Sequence, residues 1–119
     1  MIKSKVAEML RLKYPVFQGG MAWVATAELA SAVSNAGGLG IIGAGSMDGE
    51  ILLKEISKIR GLIKSEVPFG VNLMLLNPFI DDLVDIVIKE KVASVIIKVN
   101  STSLRNNNEI KFTPDEARY

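Results

Sequence analysis

Short apolar runs alternate with helical periods along this chain, and only a few residues join each run to the next. Val6 to Leu12 reads as a short amphipathic helix, with Val6, Met9 and Leu10 at helical spacing. Tyr14 to Gln18 is then extended, because Pro15 drives the residue before it out of the helical region. Thr26 is placed to cap a helix from Ala27 to about Asn35, striped by Leu29, Ala32 and Val33, and Gly37-Gly38 supplies its stop. Leu39 to Gly43 reads as a buried strand. Ser46 can cap the next helix, Met47 to Lys64, whose Leu52, Ile56, Ile59 and Ile63 share one side. Val67 to Leu75 is apolar without alternation, as in a strand covered on both faces.

Asn77-Pro78 then starts a helix that places Asp81 and Asp82 in its positive first turn. Its buried stripe is Ile80, Leu83, Val84, Val87 and Ile88. Val92 to Val99 is a last β-branched strand. The order β-α-β-α-β-α-β demands a parallel sheet with right-handed crossovers, either an open doubly wound sheet or part of a (β/α)₈ barrel. Residues 1–100 are expected to form this α/β domain. Residues 101–119 are polar and aperiodic, with Asn106 to Asn108 in succession, and are expected to be a weakly ordered tail.

Composition removes several function classes. A net charge of +1 gives no electrostatic footprint for nucleic acid or an anionic membrane. There is no Cys, so no disulfide, zinc-thiolate site or thiol nucleophile can form, and no His, so imidazole chemistry is absent. No apolar stretch reaches the ~18–20 residues of a membrane span, and no signal-peptide core follows the basic N-terminus. A cytoplasmic location follows by default.

Two glycine-rich segments invite a ligand. Gly38-Leu39-Gly40-Ile41-Ile42-Gly43 fits the G-x-G-x-x-G pattern, but a helix precedes it and the glycines fall inside a strand, the reverse of a dinucleotide site. Close packing of helix and strand is the better reading of those glycines. Gln18-Gly19-Gly20-Met21-Ala22 instead sits where the first strand ends and a helix follows, the edge at which parallel α/β folds bind ligands. Its glycines let the backbone approach a flat ring and Met21 could lie against one, although a tight turn with a core Met fits the spacing equally.

Asn72 is an amide inside the apolar run Phe69 to Leu75. It either bonds a neighbouring strand or offers a donor and an acceptor to a ring edge. Trp23 could wall a pocket or be partly buried against the loop. Asp81, Asp82 and Asp85 read as a solvated acidic face rather than a metal site, and Gly61 as a bend.

Three segments then resemble one family: Tyr14 to Ala25 around Gln18-Gly19-Gly20-Met21, Ala32 to Gly43 around Asn35-Ala36-Gly37-Gly38, and Pro68 to Leu76 around Gly70-Val71-Asn72. The sequence resembles the FMN-dependent nitronate monooxygenase (2-nitropropane dioxygenase) family over about residues 2–97. Through Leu75 to Asp82 it looks most like bacterial enoyl-(acyl-carrier-protein) reductase II. The resemblance implies the N-terminal portion of a TIM-type barrel, with FMN at the C-terminal mouth of the strands. Carried over by motif, Gly20, Met21 and Ala22 would line the flavin, Gly43 and Gly45 would border the mouth, and Asn72 would bond the ring.

The resemblance further implies reduction of FMN by NAD(P)H, followed by reduction of an enoyl thioester or oxidation of a nitronate. The family's active-site histidine, in a later Gly-Gly-His motif, and its phosphate loops have no counterpart here. A barrel needs ~250 residues. A truncated member, inactive alone, is therefore expected, pairing with another copy or a complementing chain. The alternative is a non-catalytic remnant or assembly subunit without flavin.

Overall fold

The structure, a computed structural model, describes residues 3–21, 24, 26–64 and 66–98. Helix α1 (Lys5–Leu10) leads, followed by α2 (Ala27–Asn35), β1 (Gly40–Gly43), α3 (Gly49–Leu62), β2 (Phe69–Met74), α4 (Ile80–Lys89) and β3 (Ser94–Lys98). The tail expected at 101–119 lies outside the described residues, as does Trp23. No helix among the described residues is long and apolar enough to cross a membrane.

The strands pair in parallel in the order β1-β2-β3, with Ile42 beside Val71 and Val71 beside Val95. Those residues share a core with Ala27 and Ala30 of α2, Leu52, Ile56 and Ile59 of α3, and Leu83 and Val87 of α4. Three successive crossover helices therefore cover one sheet face. Alternation sends Ile41, Gly43, Gly70, Asn72, Met74 and Ile96 to the other face. Consecutive strand order with every crossover on one side is the winding of a barrel. A doubly wound sheet reverses its strand order and covers both faces. The chain thus forms the first βα units of a TIM-type barrel.

The extended run at 14–18 differs from expectation. It is no strand but a single parallel bridge, Phe17 to Leu39. Val16 N–H turns back onto the Tyr14 carbonyl (2.8 Å) in a γ-turn across Pro15, and the backbone bonds to the segment before β1 are Tyr14 N–H to Gly37 C=O (2.9 Å), Leu39 N–H to Val16 C=O (2.8 Å) and Gln18 N–H to Leu39 C=O (3.0 Å). From there the Gln18 side chain takes over the pairing. Gln18 Nε2 donates to the Ile41 carbonyl and Gln18 Oε1 accepts from Ile41 N–H, both at 3.1 Å.

Helix ends are set by tertiary partners that periodicity does not reveal. Thr26 occupies the cap position of α2 without a capping bond, and Ala27 N–H donates instead to Glu55 Oε2 of α3 (2.8 Å). Asp48 rather than Ser46 caps α3, accepting from Ile51 N–H at 2.9 Å. α1 stops at Leu10 because Arg11 enters the left-handed region (φ 57°). Gly37, at φ 108°, ends α2 as expected.

The buried face of α2 is also rotated from the expected stripe. Ala27, Ala30, Ser31 and Ser34 face inward, and Ala32 is exposed. The cause is Gly40: a Cβ there would fall 1.8 Å from the Ala30 carbonyl oxygen. The helix lies so close to β1 that only small side chains fit between them, and Ser34 Oγ accepts the Gly40 N–H (2.9 Å).

Candidate functional site

Because Gln18 uses its side chain to hold β1, the backbone of residues 19–21 is released from the sheet and crosses over the C-terminal strand ends. A Cβ on Gly20 would lie 2.5 Å from Asn72 Nδ2, so the bare glycine backbone rests on that amide. A Cβ on Gly43 would lie 2.8 Å from the Met21 carbonyl oxygen. Gly43 and Asn72 are register partners in β1 and β2. Gly20, Met21, Gly43 and Asn72 therefore meet on one rim, at the barrel-facing side of the sheet. Ala22, the third residue expected there, lies outside the described residues.

Met21 is an exposed side chain (44 %), not the core Met of a tight turn. Asn72 is half-buried, and its side chain makes no hydrogen bond within the described residues, whereas its own carbonyl accepts Ala44 N–H (2.9 Å). The strand-to-strand bond that would have made it a purely structural amide is not formed there. Gly45 sits one step outward, against Met74 rather than Met21: a Cβ on it would meet Met74 Sδ at 2.7 Å.

Asn77, expected at a helix start, does more than begin α4. It is 5 % exposed and fastens two rim loops together. Its Nδ2 donates to the carbonyls of Met47 (2.8 Å), Gly45 (3.2 Å) and Ala44 (3.4 Å), and its Oδ1 accepts Phe79 N–H (2.8 Å). α4 starts later in consequence, at Ile80. A polar residue ending an otherwise apolar run was the available signal, but its partners lie 30 to 33 residues away.

The rim is electrically neutral. Gly20, Met21, Gly43, Gly45 and Asn72 carry no ionisable group, and among the described residues no group of His, Cys, Asp or Glu could hold a metal ion. The titrations that shift lie elsewhere. Glu28 of α2, hydrogen-bonded by Lys58 of α3, is held down at about 2, and the same contact raises Lys58. A neutral rim with a flat glycine backbone and an amide unpaired among the described residues has the shape and polarity to receive a planar heteroaromatic ring.

Residues 3–113 match the nitronate monooxygenase family. The chain belongs to that family. A probable nitronate monooxygenase of Staphylococcus haemolyticus is 47 % identical over 72 residues, 60 % of this chain and 20 % of the relative. A carboxyl-CoA dehydrogenase acting on a hydroxy-methyl-oxo-octahydroindene, from Mycobacterium tuberculosis, is 37 % identical over 91 residues, 76 % of this chain and 25 % of its own. Among solved structures, FabK from Thermotoga maritima aligns with TM-score 0.79 and 42 % identity, over 92 % of this chain and 35 % of that one. A nitroalkane oxidase from Streptomyces ansochromogenes aligns with TM-score 0.54 and 37 % identity, over 63 % and 21 %. The chain thus spans between a fifth and about a third of the length of these four proteins.

Proposed function

We propose that this chain contributes the ring-binding rim of an FMN-dependent oxidoreductase that takes electrons from NAD(P)H and acts in the cytoplasm. The observation that carries the reading is Asn72, an amide without a partner among the described residues, lying under the Gly20 backbone at the end of β2. When bound, the flavin would supply two-electron transfer. The chain's own residues bind and orient. Asn72 offers one donor and one acceptor to the ring edge. Gly20 and Gly43 keep backbone at contact distance by lacking a Cβ, and Met21 lays its polarizable thioether alongside.

These 119 residues contain no histidine, and none of the rim residues named carries a charge. The substrate we propose is an enoyl thioester, reduced as in the reductase branch, with oxidation of a nitronate by oxygen as the alternative. The test is a titration of the protein with FMN, followed by flavin fluorescence. Asn72→Ala should weaken binding by about two- to tenfold, the worth of one hydrogen bond, and Gly20→Ala should weaken it as well, because its methyl group would run into the Asn72 side chain. A protein that takes up no FMN favours the non-catalytic subunit instead.

A further inference from the structure

Beside the glycine rim, a cleft of about 360 Å³ opens between the β1–α3 loop and the β2–α4 loop, lined by Gly45, Met74, Leu76, Pro78 and Phe79 among others. Its volume lies at the lower end of the ~300–1,000 Å³ typical of ligand pockets. Leu76 and Phe79 are 57 % and 48 % exposed, and no ionisable side chain lines the cleft. Exposed Leu and Phe on a loop gain nothing for the core. Here the loop is nevertheless fixed, because Asn77 between them bonds both walls at once. The cleft is therefore built before any ligand arrives. Its floor is the Gly45–Met74 contact, and Met74 follows Asn72 by two residues on the same face of β2. The cleft thus runs outward from the amide on which the flavin reading rests.

We infer that this cleft is the subsite for the aliphatic chain of the substrate, with Met74, Leu76 and Phe79 as its specificity-determining residues. The inference rests on the ring-binding reading of the rim: the reacting carbons sit beside Asn72 and the tail lies across Phe79. A mostly apolar cleft, with Ser46 and Asn77 its only polar side chains and a flexible thioether at its base, accepts a short to medium straight chain. It rejects a charged or carboxylated one, for which it holds no partner.

The test uses unreactive S-alkyl pantetheine thioethers, butyl and decyl, titrated into the FMN-supplemented protein by calorimetry. Each buried methylene is worth about fourfold in affinity, so the decyl probe should bind at least about tenfold more tightly than the butyl one. Phe79→Ala and Leu76→Ser should cut decyl affinity about fivefold or more and leave FMN uptake unchanged, and Phe79→Leu should restore most of it. Equal affinity for the two probes overturns the inference. So does a Phe79→Ala protein that loses FMN and both probes alike, because the loop then acts only as support. If the unmutated protein takes up no FMN yet keeps the Phe79-dependent preference for decyl, the ring reading falls and the cleft stands as an aliphatic-chain site.

Discussion

At the residue scale, the absence of a Cβ matters more than any charged group. Gly40 lets α2 touch β1, and Gly20 and Gly43 let the crossing backbone touch Asn72 and the end of β1. Gly40→Ala forces a methyl group into the Ala30 carbonyl, so α2 must move. It should destabilise the fold by about 1–3 kcal/mol, read from urea unfolding, the usual penalty for overpacking. Gly61, where a Cβ would meet nothing within 4 Å, is the control: Ala there should be neutral or stabilising. The sequence pattern made the close packing of Gly38 to Gly43 legible because a helix stood on the wrong side for a dinucleotide site. It made Asn72 conspicuous because an amide interrupts an apolar run. It could not reveal Gln18 or Asn77, whose partners Ile41 and Met47 are set by the fold and not by spacing.

At the element scale, the stripes of α3 and most of α4 were legible, since Leu52, Ile56, Ile59, Leu83 and Val87 are all buried. α2 was not, because its buried face is chosen for smallness rather than hydropathy. Ile88 was expected inside and is 68 % exposed, on the flank beyond β3. Two element-level outcomes follow. Among the described residues, the non-glycine residues with positive φ, Arg11, Glu66 and Lys91, all stand at the strand-entry end of the sheet. Arg11 and Lys91 directly follow or closely follow the ends of α1 and α4, where glycine is the usual occupant. Arg11→Gly and Lys91→Gly should therefore raise thermal stability by up to about 1 kcal/mol each, the left-handed strain relieved exceeding the extra chain entropy.

The Glu28–Lys58 pair between α2 and α3 titrates in a defined direction. Glu28 is depressed from 4.5 to about 2, so its stabilisation is present above the unfolded value and drains away as pH falls through that interval. Lys58 is raised, so its share persists below 10.5 and is lost only above its folded value. With side chains 50 % and 57 % exposed the effect is small and salt-sensitive. Glu28→Gln should lower the melting temperature slightly at neutral pH and leave it unchanged near pH 2, which flattens the acid limb of the profile.

At the scale of the whole molecule, the helices cover one face of a sheet whose strands run in consecutive order, and the opposite face carries the rim. The outer flank of β3 keeps an apolar groove of about 540 Å³, lined by Leu73, Val84, Val87, Ile88, Val95 and Ile97 among others. In a closed barrel the next βα unit packs against such a flank. The winding was legible from the βα rhythm only as one of two. Helices on a single face decide it, and that is a tertiary fact.

The account stands on the meeting of the first crossover loop with the β2 amide to make a seat for a planar ring. Side-chain amide NMR of the ¹⁵N-labelled protein during FMN addition tests this most directly. Asn72 Nδ2 and the backbone amides of Gly20 and Gly43 should shift together and saturably, while the side-chain amides of Asn35 and Asn77, already bonded to carbonyls, stay in place. An unmoved Asn72 resonance in the presence of bound FMN, or shifts confined to the strand-entry end, would contradict it.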